Sequence, residues 1–217
     1  MSSTVQRGSE HAAQFYESDT TLVETLSALV ADSFGDGKRV IILAIASRRR
    51  DIERSLIAAG VNTHAARQRN QYLDLDAAQV LSRILVHAEP DPTRFENVVG
   101  GLIEDTPPQY RGVWAFGEMV SLLWSQRMYE AALRLEALWN GVAHKYGCSL
   151  YRAYPAAEFA GTAGHLRHAS TGQSHFPPES LELTSSMHRL RAIEQFRERV
   201  RSLRGRERAQ DEDERRF

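Results

Sequence analysis

Hydrophobic residues occur along this chain in two alternating patterns, compact runs and helically spaced positions. The clearest run is residues 39–46, RVIILAIA, in which apolar and β-branched residues leave no polar face. Such a run is typical of a strand that is buried on both faces of a sheet. Shorter runs at Tyr72–Asp76, Val113–Phe116 and Ser149–Tyr154 indicate three more strands. Because helical segments separate these strands, we predict an α/β domain with a mostly parallel sheet and helices on both faces.

Apolar residues between the runs recur at intervals of three or four positions, which predicts helices. These positions lie within residues 22–33, 52–59, 80–85 and 95–103. A longer pattern begins after Gly117-Glu118 and continues to Asn140, so we expect one long helix there. Ser47 and Asp76 stand where two of the helices begin, and both residue types are suitable N-caps.

The composition changes beyond Pro177-Pro178, where charged residues dominate. Six apolar residues from Met187 to Leu203 are spaced by three or four positions, which predicts an amphipathic helix over about 183–203, followed by a disordered end. We therefore divide the chain into a domain at 10–176 and a C-terminal segment at 179–217. The helix should bury its apolar stripe either on a second chain, as in a homodimer, or on its own domain. We favour the second chain.

Length and composition limit the possible classes of protein. With 217 residues and 42% hydrophobic content, the chain can form one full core. The 27 basic and 28 acidic residues nearly cancel, so the overall charge does not predict nucleic acid or a membrane surface as a partner. The single cysteine, Cys148, excludes an internal disulfide and fits a reducing cytosol. No apolar run approaches the roughly 18 residues of a membrane span, and the polar start lacks a signal-peptide core. We expect a soluble, cytoplasmic protein.

Charged residues follow two of the predicted strands. Residues 47–50, SRRR, come directly after the first apolar run. Each exposed cation in the first turn of a helix opposes the helix dipole by about 0.3 to 1 kcal/mol. The arginines therefore either extend into water beside Asp51 or meet an acidic ligand or a carboxylate partner. Glu118 follows another strand, and it could cap the next helix or pair with one of these arginines across neighbouring strand ends.

The motifs that carry phosphate binding, catalysis and metal ligation are absent from the sequence. The strand, turn and helix at residues 39–59 lack the glycines of GxxxxGKS/T and GxGxxG. The serines lack a GxSxG turn. His165, His168 and His175 have no carboxylate or thiolate at a ligand spacing. We predict no enzymatic activity, no cofactor and no metal.

A set of spaced residues resembles a known family. The set is His11-x-x-x-Phe15-Tyr16, Gly37 before a strand, Gly117-Glu118-Met119-Val120 with Leu123-Trp124, Ala132-x-x-Leu135-Glu136-x-x-Trp139-Asn140, and Leu150 to Tyr154-Pro155. Over roughly residues 10–176 it resembles the MEDS domain, the methanogen/methylotroph, DcmR sensory domain, and the GEM and LExxWN segments are its most specific parts. The resemblance implies a RecA- or KaiC-like α/β domain without a P-loop that senses small molecules. It also implies that the domain occurs alone or joined to DNA-binding or histidine-kinase modules.

Three functions remain open on this basis. We favour a non-catalytic sensory or regulatory domain that binds a small organic ligand and signals through protein–protein contacts, in transcriptional or two-component regulation. The candidate ligand-binding residues are Ser47, Arg48, Arg49, Glu118, His11, Tyr16 and Trp124. The expected partners are this ligand and a regulatory protein, such as a histidine kinase or a transcription regulator, with no membrane and no direct nucleic-acid contact. The alternatives are a degenerate RecA-like nucleotide-binding protein and a ligand-free protein-interaction module.

Overall fold

A computed structural model of the chain describes residues 11–155, 193–198 and 200–202, with the backbone alone at residues 11–15. The strands of this part are β1 His11–Tyr16, β2 Arg39–Ala44, β3 Tyr72–Asp76, β4 Leu85–Val86, β5 Glu89–Pro90, β6 Val113–Gly117 and β7 Ser149–Pro155. Five of them form one sheet in the order β1-β7-β6-β2-β3, and every neighbouring pair is parallel. Strands β4 and β5 form a separate antiparallel hairpin. The parallel sheet confirms the predicted α/β class.

Helices follow or precede each strand of the sheet. They are α1 Asp19–Gly35, α2 Ala46–Ala58, α3 Thr63–Gln68, α4 Ala77–Ile84, α5 Pro92–Phe95, α6 Gly101–Glu104, α7 Met119–Ser125 and α8 Tyr129–Tyr146. A π-helical segment, Glu96–Gly100, joins α5 to α6. Among the described helices, none has the length and apolar content needed to cross a membrane.

The side chains of β2 alternate between two hydrophobic clusters, one on each face of the sheet. Val40, Ile42 and Ala44 belong to the cluster beneath α1, α2 and α3, whereas Ile41 and Leu43 belong to the cluster beneath α4 to α8. All the residues of β2 are buried. Helices cover both faces of the sheet, so this strand has no polar side. The predicted burial of the first apolar run on both faces is confirmed.

Two segments differ from the sequence prediction. The segment His11–Tyr16, for which no strand was predicted, forms the edge strand β1 and pairs with β7. The prediction of one long helix after Glu118 is wrong, because α7 and α8 are separated at Arg127, which has a φ of 62°. A residue in the left-handed region cannot continue an α-helix, and such a position usually carries glycine or asparagine. Because the residue is an arginine, the sequence does not indicate that the helix ends there.

Trp139 of α8 packs directly over Gly117 of β6. A methyl group added at Gly117 would lie 3.0 Å from Cζ2 of the indole ring. The indole is only 2% exposed and meets the Phe95 ring edge-on at 5.4 Å between centroids, so the surrounding core holds it in place. The close approach therefore favours glycine at this position. This contact joins the GEM and LExxWN segments in one packing unit.

The C-terminal residues 193–198 and 200–202 are helical and are called the C-terminal helix below. Phe196 is buried in the cluster beneath α1, α2 and α3, and Ile193 and Val200 pack against the same cluster. The apolar stripe of the described part therefore lies on its own domain. This was the alternative to contact with a second chain, which the sequence analysis favoured.

An ion pair also joins the same helix to α1, because Arg197 Nη2 lies 2.6 Å from Glu24 Oε2. The remainder of the predicted helix 183–203 and the predicted boundary at 176–179 lie outside the described residues. Contact of this helix with a second chain stays a prediction.

Candidate functional site

The strand order reverses between β2 and β6: the chain continues from β2 toward one edge of the sheet and from β6 toward the other edge. These strands are neighbours, but α2 follows β2 onto one face and α7 follows β6 onto the other. In open α/β sheets, ligands bind in the crevice between such diverging helices. A ligand site is therefore expected at the carboxyl ends of these two strands.

Glu118 places a buried carboxylate in this crevice. Its backbone N–H donates to the Leu43 carbonyl at 2.8 Å, and its side chain crosses to the turn between β2 and α2. There Oε2 accepts a hydrogen bond from the Ile45 backbone N–H at 2.9 Å, and Oε1 accepts one from Arg48 Nε at 2.9 Å. The predicted pairing of Glu118 with an arginine across neighbouring strand ends is confirmed.

The Glu118 carboxylate caps α2 and not its own helix, α7. Helix α2 begins at Ala46 with Ile45 at the N-cap, and an isoleucine side chain cannot accept a hydrogen bond. Glu118 accepts instead from the backbone N–H of Ile45 itself, and its negative charge is favourable at the positive end of a helix. It makes no side-chain cap to α7. The predicted N-cap role of Ser47 is wrong, because Ser47 lies inside the first turn of α2 and is exposed.

Arg48 is a buried cation between one buried and one exposed carboxylate. Its side chain is 5% exposed, that of Glu118 is 7% exposed and that of Asp19 is 77% exposed. Arg48 Nη2 donates to Asp19 Oδ1 at 2.9 Å and to the Tyr16 hydroxyl at 3.3 Å. Burial lowers the pKa of Arg48, but Glu118 and Asp19 outweigh burial and raise that pKa above its ordinary value. The guanidinium therefore stays charged.

Arg49 belongs to a second charged group, at the end of β3. Its Nη2 lies 3.3 Å from Asp76 Oδ2, and its Nη1 lies 3.8 Å from Asp74 Oδ2. Arg67 of α3 donates through Nε to Asp74 Oδ1 at 3.0 Å and through Nη1 to Glu53 of α2. The hydrogen bond from Arg67 lowers the pKa of Glu53 below its ordinary value. Acidic and basic side chains alternate in this group and largely neutralise one another.

Three of the predicted site residues are in direct contact. Tyr16, Arg48 and Glu118 meet at the strand ends, and the guanidinium carbon of Arg48 lies 5.5 Å from the centre of the Tyr16 ring. Arg49 is next to them in α2 but turns toward the carboxylates of β3. Ser47 is exposed at the start of α2. Of the two alternatives for these arginines, extension into water is wrong for Arg48 and Arg49, because both have carboxylate partners within the chain.

The other two predicted site residues lie elsewhere. Trp124 is buried in the cluster on the opposite face of the sheet, with its ring 4.8 Å from that of Tyr129. The backbone of His11 lies at the amino end of β1. A strand rises about 3.3 Å per residue, which separates His11 from Tyr16 by about 17 Å. The His11 side chain lies outside the described residues.

Four carboxylates of these groups, those of Asp19, Glu53, Asp74 and Asp76, were not among the predicted site residues. Asp74 and Asp76 could have been predicted as site residues, because they stand at the end of a strand predicted to lie in the same parallel sheet. Asp76 also caps α4, as predicted, by accepting hydrogen bonds from the backbone of residues 78 and 79. Asp19 could not have been predicted in this way, because its partner Arg48 is distant in sequence and the two meet only when α1 packs against α2.

A separate charged group joins α8 to β7. Glu136 accepts hydrogen bonds from Arg152 Nη1 and from the Tyr154 hydroxyl. The side chains of Glu136 and Arg152 are 13% and 18% exposed. Burial, followed by the negative charge of Glu136, raises the pKa of Tyr154 well above its ordinary value. Glu136 of the LExxWN segment thus ties a helix to the sheet and does not face the crevice at Arg48.

Comparison with known proteins identifies the family. The family model MEDS, described as MEthanogen/methylotroph, DcmR Sensory domain, matches residues 10–169. This range covers well over half of the 217 residues and contains the whole sheet and both charged groups at its carboxyl end. Neither a curated protein nor a solved structure matches the chain significantly. MEDS is a sensory and not a catalytic family, and this chain belongs to it.

Proposed function

We propose that this chain is a non-catalytic sensory domain that binds a small organic anion at Arg48 and signals through protein–protein contacts. The observation that carries the proposal is the difference between the two carboxylate partners of Arg48. Glu118 is buried with the guanidinium, whereas Asp19 is 77% exposed. A carboxylate from solution can therefore replace Asp19 and leave the buried pair in place. Membership of the MEDS family supports the sensory role.

The free energies of the two ion pairs of Arg48 favour replacement of Asp19, and not of Glu118, by a ligand carboxylate. An ion pair with an exposed partner contributes about 0 to 1 kcal/mol, so a ligand displaces little there. Breaking a buried pair costs about 3 to 5 kcal/mol, so Glu118 keeps the guanidinium in position. The Tyr16 ring, 5.5 Å from the guanidinium carbon, forms an aromatic wall beside the same position. This chemistry suits a small molecule with one carboxylate and a short apolar part.

Asp19 also connects the proposed site with a surface that a partner can contact. It is the first residue of α1, and Glu24 on the same helix pairs with Arg197 of the C-terminal helix. Release of Asp19 from Arg48 changes the first turn of α1 beside that pair. A histidine kinase, a transcription regulator or a second copy of this chain would respond to the altered position of the C-terminal helix.

Replacing Asp19 tests the proposal, because the expected change is a gain in affinity. We expect Asp19→Ala to bind acetate or pyruvate up to about fivefold more tightly than the unaltered chain, since internal competition worth about 1 kcal/mol is removed. Asp51→Ala is the matched control, because Asp51 is another partly exposed acid that pairs with Arg54 in its own helix. It should leave the affinity unchanged. Calorimetric titration measures both, and equal or weaker binding by Asp19→Ala contradicts the exchange.

A ligand-free interaction module is the second candidate, and one observation favours it. Arg48 and Arg49 already have carboxylate partners within the chain, so neither requires an external anion. If no small carboxylate binds saturably to the unaltered chain or to Asp19→Ala, the interaction module becomes the better account. Mass spectrometry of small molecules carried through purification gives an independent test, because a pure interaction module should retain none.

The nucleotide-binding alternative is disfavoured by the position of Glu118. Phosphate-binding turns hold phosphate at the amino end of the helix that follows a strand. The Glu118 carboxylate occupies the amino end of α2, bonded to the Ile45 N–H, and it would repel phosphate. A saturable rise in melting temperature with ATP or GTP and Mg²⁺ would reverse this conclusion.

A further inference from the structure

An open groove runs between α1, α2 and the C-terminal helix. Its volume is about 600 Å³, which lies within the range of about 300 to 1,000 Å³ that is typical of small-molecule sites. Apolar side chains from all three helices line it, namely Val23, Ala58, Phe196 and Val200. Phe196 is only 6% exposed, so the domain core anchors its ring beside the groove.

Among the described residues, the charged side chains along the groove leave one cation without an ion-pair partner. Every acidic residue that lines the groove has an arginine within ion-pair distance, in the pairs Asp19–Arg48, Glu24–Arg197 and Asp51–Arg54. Arg201 also lines the groove and is exposed, and it has no ion-pair partner within the part of the chain that the structure describes. The groove therefore combines an apolar surface with a single available positive charge.

We propose that this groove binds an amphipathic organic anion, whose apolar part lies on Val23, Ala58, Phe196 and Val200 and whose anionic group lies at Arg201. Such a molecule contacts α1, α2 and the C-terminal helix at the same time. It binds the docked arrangement of the C-terminal helix in preference to any other, so its binding shifts the population toward the docked state. Arg48 itself does not line the groove, although its partner Asp19 does, and the inference does not depend on a ligand at Arg48.

Anilinonaphthalene sulfonate is a suitable probe for the full chain, because it joins an aromatic body to a sulfonate and fluoresces when it leaves water. We expect saturable binding that decanoate displaces. Decyltrimethylammonium has the same alkyl chain with the opposite charge, so it should displace the probe at least about tenfold less well. Equal displacement by the two amphiphiles would overturn the assignment of an anion.

Variants test the location of the probe. Arg201→Gln should weaken probe binding about tenfold, because a charge-assisted contact is lost. Ala58→Phe places a ring in the groove and should abolish binding without removing a charge. Arg83→Gln is the matched control, since Arg83 is an exposed arginine of α4 on the opposite face of the sheet. Near-ultraviolet circular dichroism separates loss of the groove from unfolding. Unchanged binding by both groove variants would overturn the proposed site.

Proteolysis tests whether a bound anion stabilises the docked position of the C-terminal helix. Trypsin cleaves locally opened segments, so its cleavage after Arg197 and Arg201 reports how often this helix opens. Decanoate should slow that cleavage in the unaltered chain and have no effect on it in Ala58→Phe. Cleavage that decanoate leaves unchanged, or slows equally in Ala58→Phe, would overturn the stabilisation of the docked helix.

Discussion

Glu118→Gln tests how strongly the buried pair at the strand ends stabilises this domain. Glutamine has nearly the shape of glutamate, but it is neutral and has one acceptor oxygen in place of two. In Glu118, one oxygen accepts from the Ile45 N–H and the other accepts from Arg48 Nε, both at 2.9 Å. The variant keeps one of these hydrogen bonds and turns an amide donor toward the other donor.

The expected loss in the free energy of unfolding follows from the burial of Glu118 and Arg48. A hydrogen bond to a charged group contributes about 1.5 to 3 kcal/mol, and removing one member of a buried ion pair costs about 3 to 5 kcal/mol. Arg48 retains Asp19 and the Tyr16 hydroxyl, so the lower end of that range applies. We expect the free energy of unfolding to fall by about 3 kcal/mol, and Tm to fall by about 6 to 12 °C for a chain of this size.

Asp19→Asn is the matched control, because it removes a charge from the same guanidinium. The Asp19 side chain is 77% exposed, so its loss should cost under about 1 kcal/mol. Urea unfolding, followed by tryptophan fluorescence, measures both variants, since the three tryptophans are buried in the core. If Glu118→Gln costs no more than Asp19→Asn, the buried pair is not a main source of stability and this reasoning is refuted.

Three further changes test other features of the fold. Gly117→Ala should lower the free energy of unfolding by about 1 to 3 kcal/mol in chemical denaturation, because the new methyl group would lie 3.0 Å from a buried indole ring. Replacing His87-Ala88 by Asn-Gly should stabilise the chain by about 1 kcal/mol in thermal unfolding, since φ is 50° and 67° at these positions. Arg67→Gln should cost stability mainly at neutral pH. Arg67 lowers the pKa of Glu53 in the folded chain, so the pair stabilises above about pH 4.5 and loses this effect as the pH falls through the lower, folded pKa.

For each of these three changes, one result would contradict the reasoning behind the expected effect. A neutral Gly117→Ala would mean that the indole ring can move aside. A less stable Asn-Gly hairpin would mean that the present residues contribute contacts that outweigh their backbone conformation. A cost of Arg67→Gln that is the same at about pH 7 and at about pH 3 would mean that ionisation of Glu53 does not contribute to it.

Local patterns were sufficient to predict most of the sheet. The continuous apolar run at residues 39–46 and the short runs at Tyr72–Asp76 and Val113–Phe116 indicated parallel strands, and the parallel arrangement then predicted contact between Glu118 and an arginine. The sequence could not decide which arginine makes that contact. The choice depends on rotation about the axis of α2, which turns Arg48 toward the core and Arg49 toward the carboxylates of β3.

Features that depend on distant contacts could not be predicted in this way. Ser47 has the side chain of an N-cap, but α2 begins before it, at Ala46, and Glu118 reaches the start of this helix from another strand. Arg127 interrupts a helical pattern without glycine or proline, so nothing local marks the break. Asp19 becomes a partner of Arg48 only when α1 packs on α2. For Ser47 and Asp19, contacts between elements that are distant in sequence decided the outcome, and local propensity could not show them.

The carboxylate of Glu118 at the start of α2 has a consequence for the empty state of a sensor. A protein whose crevice needs an external anion to neutralise a buried cation gains much of its stability from occupancy, and it tends to unfold or aggregate when the anion is scarce. Here the chain carries its own counter-charge for Arg48, so the fold at the strand ends does not require an external anion. In the sensory role proposed above, the ligand-free form is then a folded state that a partner protein can recognise.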